Sequence, residues 1–257
     1  EKELDHWYLE ILKKGWNKFA RTLQQTKADP ALAISKQLSG LRVTEDMAKD
    51  AIKGLSENPE YWKEEELLGL ATKLRERSKP LIIAANKIDL PGAEENFKKL
   101  KEQFKDHHII PCSAASELAL REAAKKEIIS YVPGEEKFAV KGEVTEQQEK
   151  GLEVIKKNVL EKHKTTGVQD VLNKAVLDIL NYIAVFPGGV NKLEDKDGNV
   201  IPDCFLLPSG STALQFAFRI HQDIGNKFVK AIDVKTKQVI GKEHVLKHRD
   251  VVEIKTS

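Results

Sequence analysis

The sequence predicts an α/β protein in three parts: a helical segment, half of a doubly wound sheet, and a small helix-on-sheet module at the end. Three observations carry that prediction. Apolar residues recur at three- and four-residue intervals before residue 78. Two short, continuous apolar runs alternate with amphipathic segments between residues 78 and 131, and short strand-like runs surround one capped helix after residue 182. A chain of 257 residues with 40% apolar content is long for one compact domain and holds enough apolar side chains for several cores.

In residues 1–77, Leu4, Tyr8, Ile11, Gly15, Phe19 and Leu23 form one stripe of an expected single long helix, leaving Lys13, Lys14, Lys18 and Arg21 in water. Asp29-Pro30 ends it. A second helix is expected to run to Ser39-Gly40, and Thr44 before Glu45 and Asp46 reads as an N-cap with an acidic first turn. These breaks imply helical hairpins, with Trp7, Trp16, Tyr61 and Trp62 packed between helices.

From Ser78 the pattern changes. Leu81 to Ala85 is a continuous apolar run, as in a parallel strand covered on both faces. A helix is expected over about Glu94 to Lys105, a second strand over His108 to Cys112, a loop over Ser113 to Ser116 with Ser116 as N-cap, and a helix from Glu117 to Tyr131. In this architecture ligands bind beyond the carboxyl ends of the strands, and Asn86-Lys87-Ile88-Asp89 and Ser113-Ala114-Ala115 both fall at that edge. An Asp89 carboxylate can accept two hydrogen bonds from the ring N–H and exocyclic amine of guanine, a donor pair that adenine lacks. Asn86 can bridge base and neighbouring loop, and the aliphatic stem of Lys87 can lie along a flat ring. The small residues Ser113, Ala114 and Ala115 let the backbone approach, with the Ala114 N–H expected at the guanine carbonyl oxygen.

Further helices are expected from Thr145 to Lys162, opened by a Thr145/Gln148 pair, and from Gly167 to Ile183. Tyr182 to Pro187 and Val200 to Leu207 read as strands joined across a Lys196-Asp197-Gly198-Asn199 turn. Asp195 and Asp197 lack the distal acidic ligand of a calcium loop. Thr212 with Gln215 opens a helix expected to bury Leu214, Ala217, Phe218, His221 and Ile224, and strands over Phe228 to Val234, Gln238 to Ile240 and Val251 to Ile254 complete a β-grasp.

Composition narrows the function. The 42 Lys and Arg nearly cancel 40 Asp and Glu, so any affinity for nucleic acid must be local. The segment with Lys227, Lys230, Lys235, Lys237, Lys242, Lys247, His248 and Arg249 is such a patch. The two cysteines, Cys112 and Cys204, form no Cys-x-x-Cys pair, and His107, His108, His163 and His244 show no metal-ligand spacing, so no metal is assigned to protein ligands. No apolar run approaches the roughly 20 residues that span a bilayer. A cytoplasmic protein without membrane contact is expected. The chain opens without Met in a helical pattern, which suggests a preceding segment.

The segment from Ser78 to Gly134 resembles the base-recognition region of a translation-factor-class GTPase. Phe186 to Ser257, marked by Pro208-Ser-Gly-Ser-Thr212 and Ala213 to His221, resembles a TGS domain. Their order resembles that of the YchF type of Obg-related GTPases, in its archaeal branch. The resemblance implies a helical or coiled-coil insertion at 1–77, the C-terminal part of a P-loop GTPase domain at 78–183, and a TGS domain at 184–257. It also implies GTP and GDP as ligands, and ribosome, rRNA or tRNA as partners through the TGS and helical parts. Bacterial and eukaryotic members carry Asn-Met-x-Glu and favour ATP, whereas Lys87 and Asp89 here point to guanine. No G-x-x-x-x-G-K-[ST] occurs, so phosphate binding and Mg²⁺ are expected from upstream residues, and catalytic residues are not expected in this chain. The intact protein is expected to be a GTPase; the alternative is a nonenzymatic ribosome- or RNA-binding adaptor with a relic guanine motif.

Overall fold

The structure, a computed structural model, describes residues 1–257 except Asp195, Lys196 and Pro202. It divides into two units, one of residues 1–83 with 106–108, the other of residues 84–105 with 109–257.

The first unit is helical: α1 (Lys2–Lys13), α2 (Trp16–Thr26), α3 (Pro30–Gln37), α4 (Glu45–Ala51) and α5 (Glu64–Ser78). Asp29 caps α3 at Ala31 N–H, and Thr44 caps α4 at Met47 N–H, as the sequence implies. The expected long first helix is instead broken at Gly15, whose φ of 78° lies in the left-handed region that glycine adopts without penalty. The break rotates the buried stripe onto Tyr8, Leu12, Trp16 and Ala20, and leaves Leu4 exposed. Trp16 and Trp62 stack at 5.6 Å within this core, but Trp7 and Tyr61 lie on the surface, contrary to their expected packing. Buried Arg75 donates from Nε to Asp5 Oδ1 at 2.7 Å, so its charge is paired.

The second unit begins with β1 (Ile82–Ala85, whose first two residues belong to the first unit), α6 (Ala93–Gln103), β2 (His108–Pro111) and α7 (Ala114–Lys125). The two strands pair into a small sheet. β1 is only half-buried, not covered on both faces, because one partner strand and its flanking helices cannot enclose it. The helix after β2 starts three residues earlier than expected. Ser113, not Ser116, is its N-cap and accepts from Ser116 N–H at 3.2 Å; either serine satisfies the composition rule, but only Ser113 has the extended backbone a cap requires. It ends at Lys125, because Glu127 turns into the left-handed region and β3 (Ile129–Ser130) folds back to pair antiparallel with β4 (Ala139–Val140). A core of Leu120, Ile129, Tyr131 and Leu160 lies beneath.

A Thr145/Gln148 capping box opens α8 (Glu146–Ile155). The helix continues through a π segment, Lys156–Leu160, into α9 (Glu161–His163). After Gly167, α10 (Val168–Asn173) and a second π segment, Lys174–Ile179, lead to Asn181 at positive φ and into β5 (Tyr182–Pro187), so the expected helix stops short of Ile183. β6 is limited to Phe205–Pro208, while Val200 only bridges Glu194. Asp195 and Lys196 of the expected turn lie outside the described residues. α11 (Ala213–Ile220), α12 (Gln222–Asn226), β7 (Phe228–Asp233), β8 (Val239–Ile240) and β9 (Asp250–Thr256) follow. The sheet order is β6-β5-β9-β7-β8, with β5 and β9 parallel and the other pairs antiparallel. α11 buries Ala213, Phe216 and Ala217 against it, one step from the expected face. His221 is an exposed cap rather than a core residue: its Nδ1 accepts from Asp223 N–H at 3.2 Å.

Candidate functional site

At the end of β1 the chain makes a sharp turn. Lys87 has a φ of 67°, a left-handed conformation unusual for a side-chain-bearing residue, and Asn86 Oδ1 holds it by accepting the Lys87 N–H at 2.8 Å. The same Asn86 oxygen accepts the Ala114 N–H at 3.1 Å. Backbone bonds from Cys112 N–H to Ala85 O (3.0 Å) and from Ile88 N–H to Cys112 O (3.1 Å) lock the two loops side by side. Asn86 is thus bonded to the neighbouring loop, the loop half of the bridge between base and loop expected of it.

The turn leaves the Lys87 side chain exposed and draws Asp89 partly inward. Asp89 Oδ1 is buried yet has no hydrogen-bond partner among the described residues. An unpaired buried carboxylate oxygen carries an uncompensated desolvation cost, and a pair of N–H donors would offset it. The guanine edge supplies such a pair, so the chemistry of the site fits that base.

The Ser113–Ala115 turn presents amides rather than side chains. Ser113 is fully buried; its hydroxyl accepts Ser116 N–H and donates to Ser116 Oγ at 2.8 Å, so its side chain shapes the turn. The Ala114 N–H, expected at a base oxygen, is bonded to Asn86 and would have to be shared. No bond engages the neighbouring Ala115 N–H among the described residues, and both amides sit at the positive end of α7.

Two hollows flank the turn. One, about 380 Å³, is lined by Asn86, Lys87, Leu90, Asn96 and Phe97. The other, about 570 Å³, places Asp89 and Glu94 opposite Asn158, Lys162 and His163. That opposite wall is not legible in the sequence, because nothing in the local pattern of α8 and α9 marks it as close to Asp89.

The structure also brings in residues that periodicity could not reveal. Thr166 O accepts the Ser113 N–H at 2.8 Å, and Thr166 Oγ1 donates to Glu117 Oε2 at 2.6 Å. Tyr131 donates to the same oxygen at 2.8 Å and Arg121 Nε to Oε1 at 2.6 Å. Burial would raise the Glu117 carboxyl, but the three hydrogen bonds outweigh it and hold the group below the usual glutamate range. Burial, reinforced by the Glu117 charge, pushes Tyr131 up to about 12. Burial also pushes the Cys112 thiol up, which keeps it protonated and unreactive.

A strand-end Asn-Lys-x-Asp turn tied to an amide-presenting helix start, joined to a β-grasp, fits a GTP-binding protein. The chain belongs to the Obg-like GTP-binding proteins. The Obg-like GTPase YGR210-like, G4 motif-containing domain matches residues 84–189, and the TGS domain matches residues 193–256. An uncharacterized GTP-binding protein of Methanocaldococcus jannaschii is 46% identical over 253 residues, covering 98% of this chain and 64% of that protein. The chain thus spans under two thirds of that relative's length. The crystal structure of a GTP-binding protein from Pyrococcus horikoshii is 38% identical with a TM-score of 0.72, covering 99% of this chain and 69% of the other. The Schizosaccharomyces pombe YchF GTPase, 17% identical with a TM-score of 0.51 over 99% of this chain and 64% of its own, shares the fold.

Proposed function

We propose that this chain supplies the base-recognition half of a GTP- and GDP-binding site. The buried, unpartnered Asp89 Oδ1 carries the reading. Asp89 accepts the guanine ring N–H and amine, the Lys87 stem covers one face of the ring, Asn86 fixes both loops, and the Ala114 and Ala115 amides meet the guanine carbonyl oxygen. The intact protein is read as a GTPase. Base contacts lie far from a reacting γ-phosphate and cannot lower its barrier, and this sequence has no phosphate-cradling motif. Among the described residues no group of three His, Cys, Asp or Glu side chains comes together.

Lys227, Lys230, Lys235, Lys237, Lys242, Lys247 and Arg249 are all exposed on the β-grasp, which suits a phosphate backbone and supports contact with ribosomal or transfer RNA. His248 is exposed on the same surface, with its Nδ1 accepting Ala184 N–H at 3.1 Å. No described helix is long and apolar enough to cross a membrane.

Calorimetric titration of the full-length protein with GDP and ADP tests the base reading. GDP should bind at least about a hundredfold more tightly, as expected where a buried polar group is left unpaired by the wrong ligand. Equal affinities would overturn the proposal. GTP turnover by residues 1–257 alone should be at background beside that of the full-length protein; equal turnover would reveal a phosphate site within this chain.

A further inference from the structure

Among the residues without an assigned role, the best-connected cluster lies just behind the base-reading turn. Thr166 is buried, 49 residues from Glu117 in sequence, and grips the first turn of α7 at two points. Its carbonyl accepts the N–H of the capping residue Ser113, and its hydroxyl donates to Glu117 one turn further on. The amides of Ala114 and Ala115 lie between these two grips. Thr166 is itself fixed. Thr165 bonds to Asp170 and accepts Gly167 N–H at 2.9 Å, while Gly167, at a φ of 78°, packs so closely on β2 that a Cβ there would lie 1.9 Å from Pro111 O. Glu117 is held from its other side by Tyr131 and Arg121.

We infer that Thr166 and Glu117 are positioning residues for the base-reading turn, aiming the Ala114 and Ala115 amides at the guanine carbonyl oxygen. This rests on the proposed guanine site. A buried carboxylate with three donors has one satisfied arrangement, so the network fixes the start of α7 more tightly than a lone N-cap does. Asp89, held by the β1 turn, is outside the network. The clamp therefore governs recognition of the carbonyl oxygen and leaves recognition of the ring N–H and amine alone.

That separation provides the test. In the full-length protein, preference for GDP over 6-thio-GDP reports the amides at the carbonyl position, and preference for GDP over IDP reports Asp89 at the exocyclic amine. Thr166→Val removes the hydroxyl, keeps the shape and keeps the backbone bond to Ser113. The first preference should fall about tenfold, in line with the loss of one aimed hydrogen bond, with the second unchanged and Thr166→Ser restoring the first. Glu117→Gln, whose NH2 group must face at least one of the three donors Thr166, Tyr131 and Arg121, breaks the satisfied arrangement, should reproduce the effect, and carries the test if the valine variant does not fold. If wild type prefers GDP over ADP but Thr166→Val and Glu117→Gln retain both preferences, or lose both equally, the positioning role is refuted and the guanine site stands. If wild type shows no guanine preference at all, the site and the clamp fall together.

Discussion

In the helical unit Tyr8, Leu12, Ile34, Leu70 and Leu74 are fully buried, Trp16 stacks on Trp62, and the buried Arg75 is paired with Asp5. Between Ala84 and Ala115 the balance is reversed. β1 is half-exposed, α6 has no fully buried residue, Leu90 is half in solvent, and Asp89 keeps a buried oxygen without a partner. Most of what the first region offers is apolar contact with itself, and most of what the second offers is polar geometry held rigid by a few hydrogen bonds. The contrast separates an element that gains stability from its own core from one whose shape fits the proposed role in recognition.

Substitutions should act on the two regions differently. Trp16→Ala removes a buried ring from the helical core and should cost about 3–5 kcal/mol of unfolding free energy in denaturant titrations, while the protein that remains folded keeps its GDP affinity. Loss of affinity in parallel would erase the distinction between the regions. Gly167→Ala should cost about 2–4 kcal/mol, through the overlap with Pro111 and the left-handed backbone, and here GDP affinity should fall with stability because the clamp moves. An unchanged affinity would detach the clamp from the site.

A smaller effect tests the Glu117 network by pH. Tyr131 holds its proton up to about 12 when folded and to about 10 when unfolded. The folded state therefore binds the proton more tightly, and this contribution is complete below about pH 10 and lost as pH rises towards 12. Thermal unfolding should show stability falling across that window, less steeply in Tyr131→Phe; identical profiles would place Tyr131 outside the network. The smallest change is expected on the β-grasp. Removing the charges of Lys242, Lys247 and Arg249 should reduce the salt slope of ribosome association by about 2–3 and leave nucleotide affinity untouched. An unaltered slope would remove those residues from the proposed RNA contact.

Much of the site could be read from the sequence because its key feature is local. An apolar run followed by Asn86, Lys87 and Asp89 marks a strand end and the tight turn now proposed to read a base, and the threonine and glutamine pairs at Thr145 and Thr212 mark helix starts that the structure contains. Local pattern failed where the outcome depends on distant packing. Gly15 sits in a helical stripe and gives no sign of breaking it, Ser113 and Ser116 are equal candidates for one cap, and the half-open faces of β1 depend on how many strands flank it. The Thr166 to Glu117 bond joins residues with no shared periodicity. Nothing short of the fold places them together.

The central claim, that Asp89 reads guanine, is tested most directly by exchanging its carboxylate for an amide. Asp89→Asn replaces one acceptor with a donor, which matches the extra carbonyl of xanthine and not the amine of guanine. Titration of the full-length variant should show GDP binding weakened by about a hundredfold and xanthosine diphosphate binding strengthened, with the wild type showing the reverse order. A variant that binds GDP as tightly as the wild type, with no gain for xanthosine diphosphate, would contradict the assignment of Asp89 to the base.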